Sequence, residues 1–185
     1  MKQLEHSNKT TGFLFGKTIR LRAIEPEDLD YIYIWENDTS IWHLSNTLTP
    51  FSYYIIKKYI ENSHLDIFEA KQLRLIIEII DIKTPVGCID LFDFDPVNKR
   101  AGVGILIADT DNRKKGFASE ALELLIKYAF DILKLHQLYA GISENNTDSI
   151  KLFTKFNFVK TGEKKDWILY ENKWITEYFY QLINS

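Results

Sequence analysis

ILIADTDNRKKGFASEA, residues Ile105–Ala121, passes from a run of apolar β-formers through a basic loop into the start of a long helix. Such a junction suits an anion. The first N–H groups of a helix have no partner in the helix, and its N-terminus carries about half a positive charge. Gly116 lets backbone approach a ligand and tolerates positive φ, and Ala118 and Ser119 keep the first turn small. Arg113, Lys114 and Lys115 place cations beside it, so a pyrophosphate fits. Solvated loop cations and a glycine before a helix explain the same residues without a ligand. The spacing is neither a Walker loop nor a dinucleotide fingerprint, since one glycine stands where those need several.

Outward from this stretch the hydrophobic period separates strands from helices. Ala101–Ala108 is the third of three extended runs, after Gln72–Ile80 and Val86–Phe94, and short turns at Lys83-Thr84-Pro85 and Asp95–Asn98 make them an antiparallel meander. Gly102 and Gly104 inside the third run predict a bulge or a close backbone approach. Downstream, Gly116–Lys134 is a helix whose inward face carries Ala118, Ala121, Leu122, Leu125, Ala129, Ile132 and Leu133. A strand at Gln137–Ile142, a short helix at Asn146–Phe156 with Ile150 and Phe153 inward, and a hairpin of Trp167–Tyr170 with Trp174–Leu182 follow. Upstream lie a strand at Thr18–Ala23, a helix from Pro26 to about Glu36, and a second helix capped by Ser52 with Tyr54, Ile55, Tyr59 and Ile60 apolar. The fold class is α+β: a mixed, mostly antiparallel central sheet flanked by helices, the long helix and the strand after it forming a parallel crossover.

The chain has 185 residues, the length of one domain, assigned to residues 17–185 with residues 1–16 as a loose polar leader. Apolar residues at 45% and charged residues at 26% are those of a globular protein, which excludes disordered and fibrous classes. The net charge of −3 argues against a nucleic-acid partner, a single-stranded binder using stacked aromatics included. A single cysteine, Cys88, excludes disulfide frameworks and multi-cysteine metal sites, and the histidines form no metal pattern, so no metal is expected. No apolar run approaches the ~18 residues of a membrane span and the N-terminus has no apolar core of a signal peptide, so the expected location is the cytoplasm, away from membranes.

A second motif lies at Asn145–Phe158, NNTDSIKLFTKFNF, where Asn146 can cap a helix with Ser149 three residues on. Together, Arg113-Lys114-Lys115-Gly116-Phe117-Ala118 and Asn146-x-x-Ser149-Ile150-x-x-Phe153-x-Lys155-x-x-Phe158 resemble the acetyl-CoA motif [Q/R]-x-x-G-x-[G/A] and the segment after it in the GCN5-related N-acetyltransferase superfamily. Ile19–Arg22 with Glu27-Asp28, Trp35–Asp38 and Asn46…Pro50 resemble the opening of its subgroup of ribosomal-protein and spermidine N-acetyltransferases. The resemblance implies acetyl-CoA as acetyl donor and a primary amine (a polyamine, another small amine or a protein N-terminus) as acceptor, in a monomer or homodimer. It implies that Ile105, Leu106 and Ile107 splay from the neighbouring strand to pair with the pantetheine arm. It implies that the amides of Arg113, Lys114, Lys115, Gly116, Phe117, Ala118 and Ser119 hold the pyrophosphate, and that Asn146 and Phe153 lie along the coenzyme. Lys151 and Lys155 belong near its other phosphate or in solvent. Two positions depart from the pattern: Phe153 stands where many relatives carry tyrosine, their proposed acid, and Asn157 replaces glycine.

Direct transfer needs a neutral amine, yet an alkylamine has a pKa of about 10, so a base or a water chain must take its proton. Asp90, a carboxylate within an apolar strand, is the first candidate, followed by Glu78 and Glu144; each can equally face solvent. Cys88 reads as a small core residue and not a nucleophile. Trp35, Trp42, Tyr53, Tyr54 and Trp174 can wall a pocket for a cationic amine or simply pack in the core. The missing hydroxyl at Phe153 also admits a catalytically weak acyl-CoA-binding or regulatory module.

Overall fold

The computed structural model describes residues 12–42 and 47–184. Strand β1 (Ile19–Arg22) opens the domain, followed by a 3-10 turn at Pro26–Asp28 and helix α1 (Leu29–Glu36). Helices α2 (Tyr53–Glu61) and α3 (Ile67–Ala70) lead into the meander β2 (Leu73–Ile79), β3 (Thr84–Asp95) and β4 (Arg100–Ile107). Helix α4 (Phe117–Lys127) crosses to β5 (Gln137–Ser143), and α5 (Thr147–Lys155) precedes the hairpin β6 (Val159–Tyr170) and β7 (Lys173–Ile183). The sheet order is β1-β2-β3-β4-β5-β7-β6. Every pairing is antiparallel except β4 with β5, which run parallel from Arg100↔Gln137 to Gly102↔Tyr139 and then part.

Side chains alternate across this sheet, so each strand serves two layers. One face, with Leu75, Ile89, Val103, Leu138 and Ala140, is covered by Phe117, Ala121, Leu122 and Leu125 of α4 and Phe153 of α5. On the other, Ile76 packs under Ile32 of α1 and Ile56 and Ile60 of α2. Farther along that second face stand Cys88, Asp90, Gly104, Tyr139 and Gly141, which line a cleft.

A buried ion-pair cluster ties β1 to β2 and the first turn. Arg22 grips both oxygens of Asp28 at 2.7 Å and reaches Glu78 at 2.5 Å, while Arg20 reaches Glu78 at 2.6 Å. Asp28 and Glu78 are 2% and 4% exposed, so these arginines compensate carboxylates cut off from water.

The structure departs from the sequence-based expectations in four places. In α2 the buried residues are Ile56 and Ile60, whereas Tyr54 and Ile55 face outward, because the helix seats on α1 and Ile76. In the crossover, α-helical bonding ends at Lys127 and a π turn, Tyr128–Ile132, follows, which leaves Ile132 exposed although Ala129 is fully buried. β6 starts eight residues before the expected Trp167, since a polar edge strand carries no apolar alternation. Of the expected loose leader, residues 1–11 lie outside the described residues. Leu14 and Gly16, however, exchange backbone hydrogen bonds with Leu21 and Ile19, so that end is docked on β1.

Candidate active site

The parting of β4 from β5 creates the site. β4 continues to Ile107 and β5 to Ser143 with no further pairing between them. Each carries a glycine two residues past the last parallel pair, Gly104 and Gly141, and both line the resulting wedge. On the α4 side a cleft of about 460 Å³ is bounded by Ile105–Ile107, the loop after them, the first turn of α4 and one side of α5.

The start of α4 is uncapped. Gly116 is left-handed at φ 89°, no side chain among the described residues caps the helix, and the first helical bond is Glu120 N–H to the Gly116 carbonyl. The N–H groups of Phe117, Ala118 and Ser119 therefore have no acceptor within the helix. A Cβ at Gly116 meets no atom within 4 Å, so the loop faces open space there. Lys114, at φ 61°, turns the loop back on itself. Arg113 Nε donates to the Ile107 carbonyl at 3.2 Å, which ties loop to strand, and Lys155 Nζ donates to Ser119 Oγ at 2.7 Å, which ties α5 to α4.

The structure brings Ile105–Ile107, Arg113, Lys114, Gly116–Ser119 and Asn146 together around this cleft, with Lys151 and Lys155 on its α5 wall. Lys115 stays outside the lining and donates to Asn112 Oδ1 at 3.2 Å. The Phe117 ring is buried, so its offering to a ligand is backbone. Asn146 both caps α5, its Oδ1 accepting from Ser149 N–H at 3.1 Å, and lines the cleft and the wedge. Phe153 lines the wedge instead of the cleft, its ring edge-on to Phe158 at 4.9 Å. Asn112 and Asp148 also line the cleft; an acid in a first helical turn was the only signal for the latter.

A second cleft, of about 570 Å³, opens on the opposite face of the sheet and meets the first at Ile105 and Leu106. Its aromatic floor is Phe92, Tyr139 and Phe179; Tyr139 stacks on Phe179 at 5.4 Å. Trp35 and Trp42 stand on its rim as the sequence suggested. Tyr53, Tyr54 and Trp174 are outside it and exposed, Tyr53 hydrogen-bonded to Asp30 at 2.9 Å. Carboxylates outnumber cations here: Glu36, Asp90, Asp93 and Glu177 against Arg74 and Lys164.

Asp90 lies in this cleft with both oxygens held by Arg74, at 2.8 and 3.1 Å, and Arg74 also reaches Glu36 at 2.5 Å. Glu78 is buried elsewhere, in the cluster with Arg20 and Arg22. Glu144 fastens β7 by accepting from Thr176 N–H at 2.9 Å. Glu177, which the sequence reading passed over, lines both the second cleft and the wedge, and its Oε2 accepts from Lys164 at 2.8 Å. Burial, with Asp90 beside it, pushes the Cys88 thiol up to about 12, so it is protonated and unreactive at neutral pH. Burial and Asp93 likewise raise the Tyr139 phenol. Among the described residues no cluster of histidine, cysteine or carboxylates is placed to hold a metal ion, and no helix is long and apolar enough to cross a membrane.

The family model described as "Acetyltransferase (GNAT) domain" matches residues 18–159. The chain is 29% identical over 171 residues to the uncharacterized N-acetyltransferase p20 of Bacillus licheniformis, covering 92% of this chain and 95% of that one. It is 27% identical over 149 residues to spermidine N(1)-acetyltransferase of Escherichia coli, covering 79% of this chain and 75% of that one. Among solved structures, the spermidine N-acetyltransferase of Vibrio cholerae in complex with CoA and spermine superposes with a TM-score of 0.82. The two are 21% identical, over 91% of this chain and 96% of that one.

Proposed function

The chain belongs to the GNAT acetyltransferase family, and we propose that within it the preferred acceptor is a linear polyamine. The protein is an acetyl-CoA-dependent N-acetyltransferase that moves an acetyl group to an amine. Acetyl-CoA, when bound, supplies an acetyl thioester. The residues fit it: uncapped amides at Phe117–Ser119, open space at Gly116, and a strand edge at Ile105–Ile107 released from pairing. In this reading the loop amides and Arg113 take the pyrophosphate, and the free edge of β4 takes the amide-bearing arm. The thioester then comes to Ile105, which borders both clefts and the wedge.

The amine enters from the opposite face of the sheet. Bringing two reactants through opposite clefts to one strand supplies alignment, worth roughly 7–11 kcal/mol in well-oriented systems. Backbone N–H groups on the parted β4 are the donors available to a developing oxyanion. Cys88 is protonated and buried, which supports direct transfer over a cysteine acyl-enzyme.

The observation that carries the polyamine reading is the second cleft itself. Several carboxylates along an aromatic floor suit a flexible chain with more than one ammonium group, each charge finding a carboxylate or a ring face. The test is release of free thiol from acetyl-CoA across spermidine, butylamine, a free amino acid and a peptide N-terminus. Spermidine should show the highest kcat/KM, by at least about tenfold over butylamine, which corresponds to roughly 1.4 kcal/mol. A preference for the amino acid or the peptide would overturn it.

A further inference from the structure

Resting on the acetyl-transfer reading, the geometry points to Glu177 as the base that takes the proton from the acceptor ammonium. Of the carboxylates in the second cleft, only Glu177 also lines the wedge where β4 and β5 part. None of the other described carboxylates borders the wedge. Asp90 and Glu36 are both held by Arg74, and Asp93 accepts from the Tyr139 hydroxyl at 3.4 Å and does not border the wedge. Glu78 is not in the cleft at all.

Glu177 is also placed with care. Lys164 holds Oε2 at 2.8 Å, while Oε1 accepts no hydrogen bond from the described residues. That free oxygen lies 2.7 Å from the position a Cβ would take at Gly141, so the carboxylate rests directly over the glycine on the floor of the wedge. Any side chain at 141 would occupy that place. The strand therefore gives up packing area at 141, and the carboxylate takes it. Glu177 itself is part-buried, its side chain 16% exposed, which limits competing water.

In the step, a lone pair on Oε1 takes one N–H proton of the ammonium, giving a neutral amine and a carboxylic acid. The amine lone pair forms the C–N bond, the C–S bond breaks, and the coenzyme leaves as a thiolate. The second amine proton passes to solvent, and the Glu177 proton returns to the thiolate or to water. The titratable and charged groups around Glu177 are Lys164 on β6, Tyr139 on β5, Asp90 and Asp93 on β3, and Glu144, which accepts from Thr176 N–H.

The test compares ethylamine with 2,2,2-trifluoroethylamine, of the same length but already neutral at pH 8, in wild type and Glu177→Gln. General-base loss should slow ethylamine on the order of 100-fold or more in kcat. The same variant should slow trifluoroethylamine by less than about threefold, because no proton has to be removed before attack. Acetyl-CoA affinity, read by calorimetry, should stay within about twofold and shows that the variant is folded. Gly141→Ala, which displaces the carboxylate without altering its charge, should show the same selectivity between the two amines. Equal losses for both amines, or a loss below about threefold for ethylamine, would overturn the assignment. Wild-type turnover of the amines reports on acetyl transfer as such, and the ratio of wild type to variant reports on Glu177 alone.

Discussion

Arg74 donates from Nε and Nη2 to the two carboxylate oxygens of Asp90, at 2.8 and 3.1 Å, across the β2–β3 pair. The sequence placed Asp90 first among bases because a carboxylate inside an apolar strand is unusual. What the sequence could not supply was its partner. A bidentate guanidinium takes a lone pair on each oxygen and fixes the orientation of the carboxylate at the wall of the second cleft. Asp90→Asn should therefore raise KM for a polyamine several-fold and leave kcat within about threefold, read by steady-state thiol release. A loss in kcat on the order of 100-fold or more would return the proton-accepting role to Asp90.

The left-handed Gly116, at φ 89°, precedes amides that no side chain caps. Gly116→Val should abolish measurable acetyl-CoA binding, since the branched chain enters open space reserved for phosphate and strains the turn. Arg113→Ala should weaken binding by less than about tenfold and reduce its salt dependence, because the amides remain when the charge goes. Calorimetry on both variants at two salt concentrations decides it; unchanged affinity in a folded Gly116→Val would reject the loop as the anchor.

How far the sequence could reach follows from where the partners of each residue lie. The loop from Arg113 to Ser119 and the cap at Asn146 are local features legible in the sequence, and it was the resemblance to the GNAT motifs that implied they share one ligand. The second cleft is assembled from α1 and strands β2 to β7, so no window of sequence contains it. Glu177 is the clearest case. It reaches the wedge only because β7 inserts between β5 and β6, pairing Ser143 with Glu177, and a hairpin read from sequence does not say which of its strands docks inward. Tyr54 and Ile55 misled for a related reason: α2 is apolar on two sides, and the buried side is set by Ile76 across the gap.

Glu120 lies in the first turn of α4 and accepts from Thr18 N–H at 3.0 Å and from Lys17 N–H and the Thr18 hydroxyl, fastening the chain ahead of β1 to the helix. Burial acts most strongly on its carboxyl and pushes it up, but these hydrogen bonds together hold it below the usual glutamate range. The folded state thus favours the ionised form. Its contribution is complete above the unfolded glutamate pKa of about 4.3 and is lost as pH falls through the lower folded value. Between pH 7 and pH 3.5, wild type should lose more melting temperature than Glu120→Gln. An identical acid loss in the two proteins would show that Glu120 contributes nothing there.

Phe153 is 3% exposed, lines the wedge beside Asn146 and packs edge-on against Phe158 at 4.9 Å. By the sequence resemblance it takes the position where many relatives carry a tyrosine, their proposed acid, and a phenyl ring cannot donate a proton. The chemistry does not demand that proton at the moment of cleavage. A coenzyme thiol has a pKa near that of cysteine, about 8.5, so it leaves as a tolerable anion at neutral pH and water can protonate it afterwards. The harder proton is the one on the amine, with a pKa about 10, which the proposed arrangement puts on the other side of the sheet. The wild-type protein should therefore be active, and Phe153→Tyr should change kcat by less than about tenfold, or roughly 1.4 kcal/mol. The packing against Phe158 should survive, since the added hydroxyl projects from the ring tip. A gain of a hundredfold or more with a good acceptor amine would mean that thiolate protonation limits this enzyme and that a weak module, awaiting its acid, is the better description.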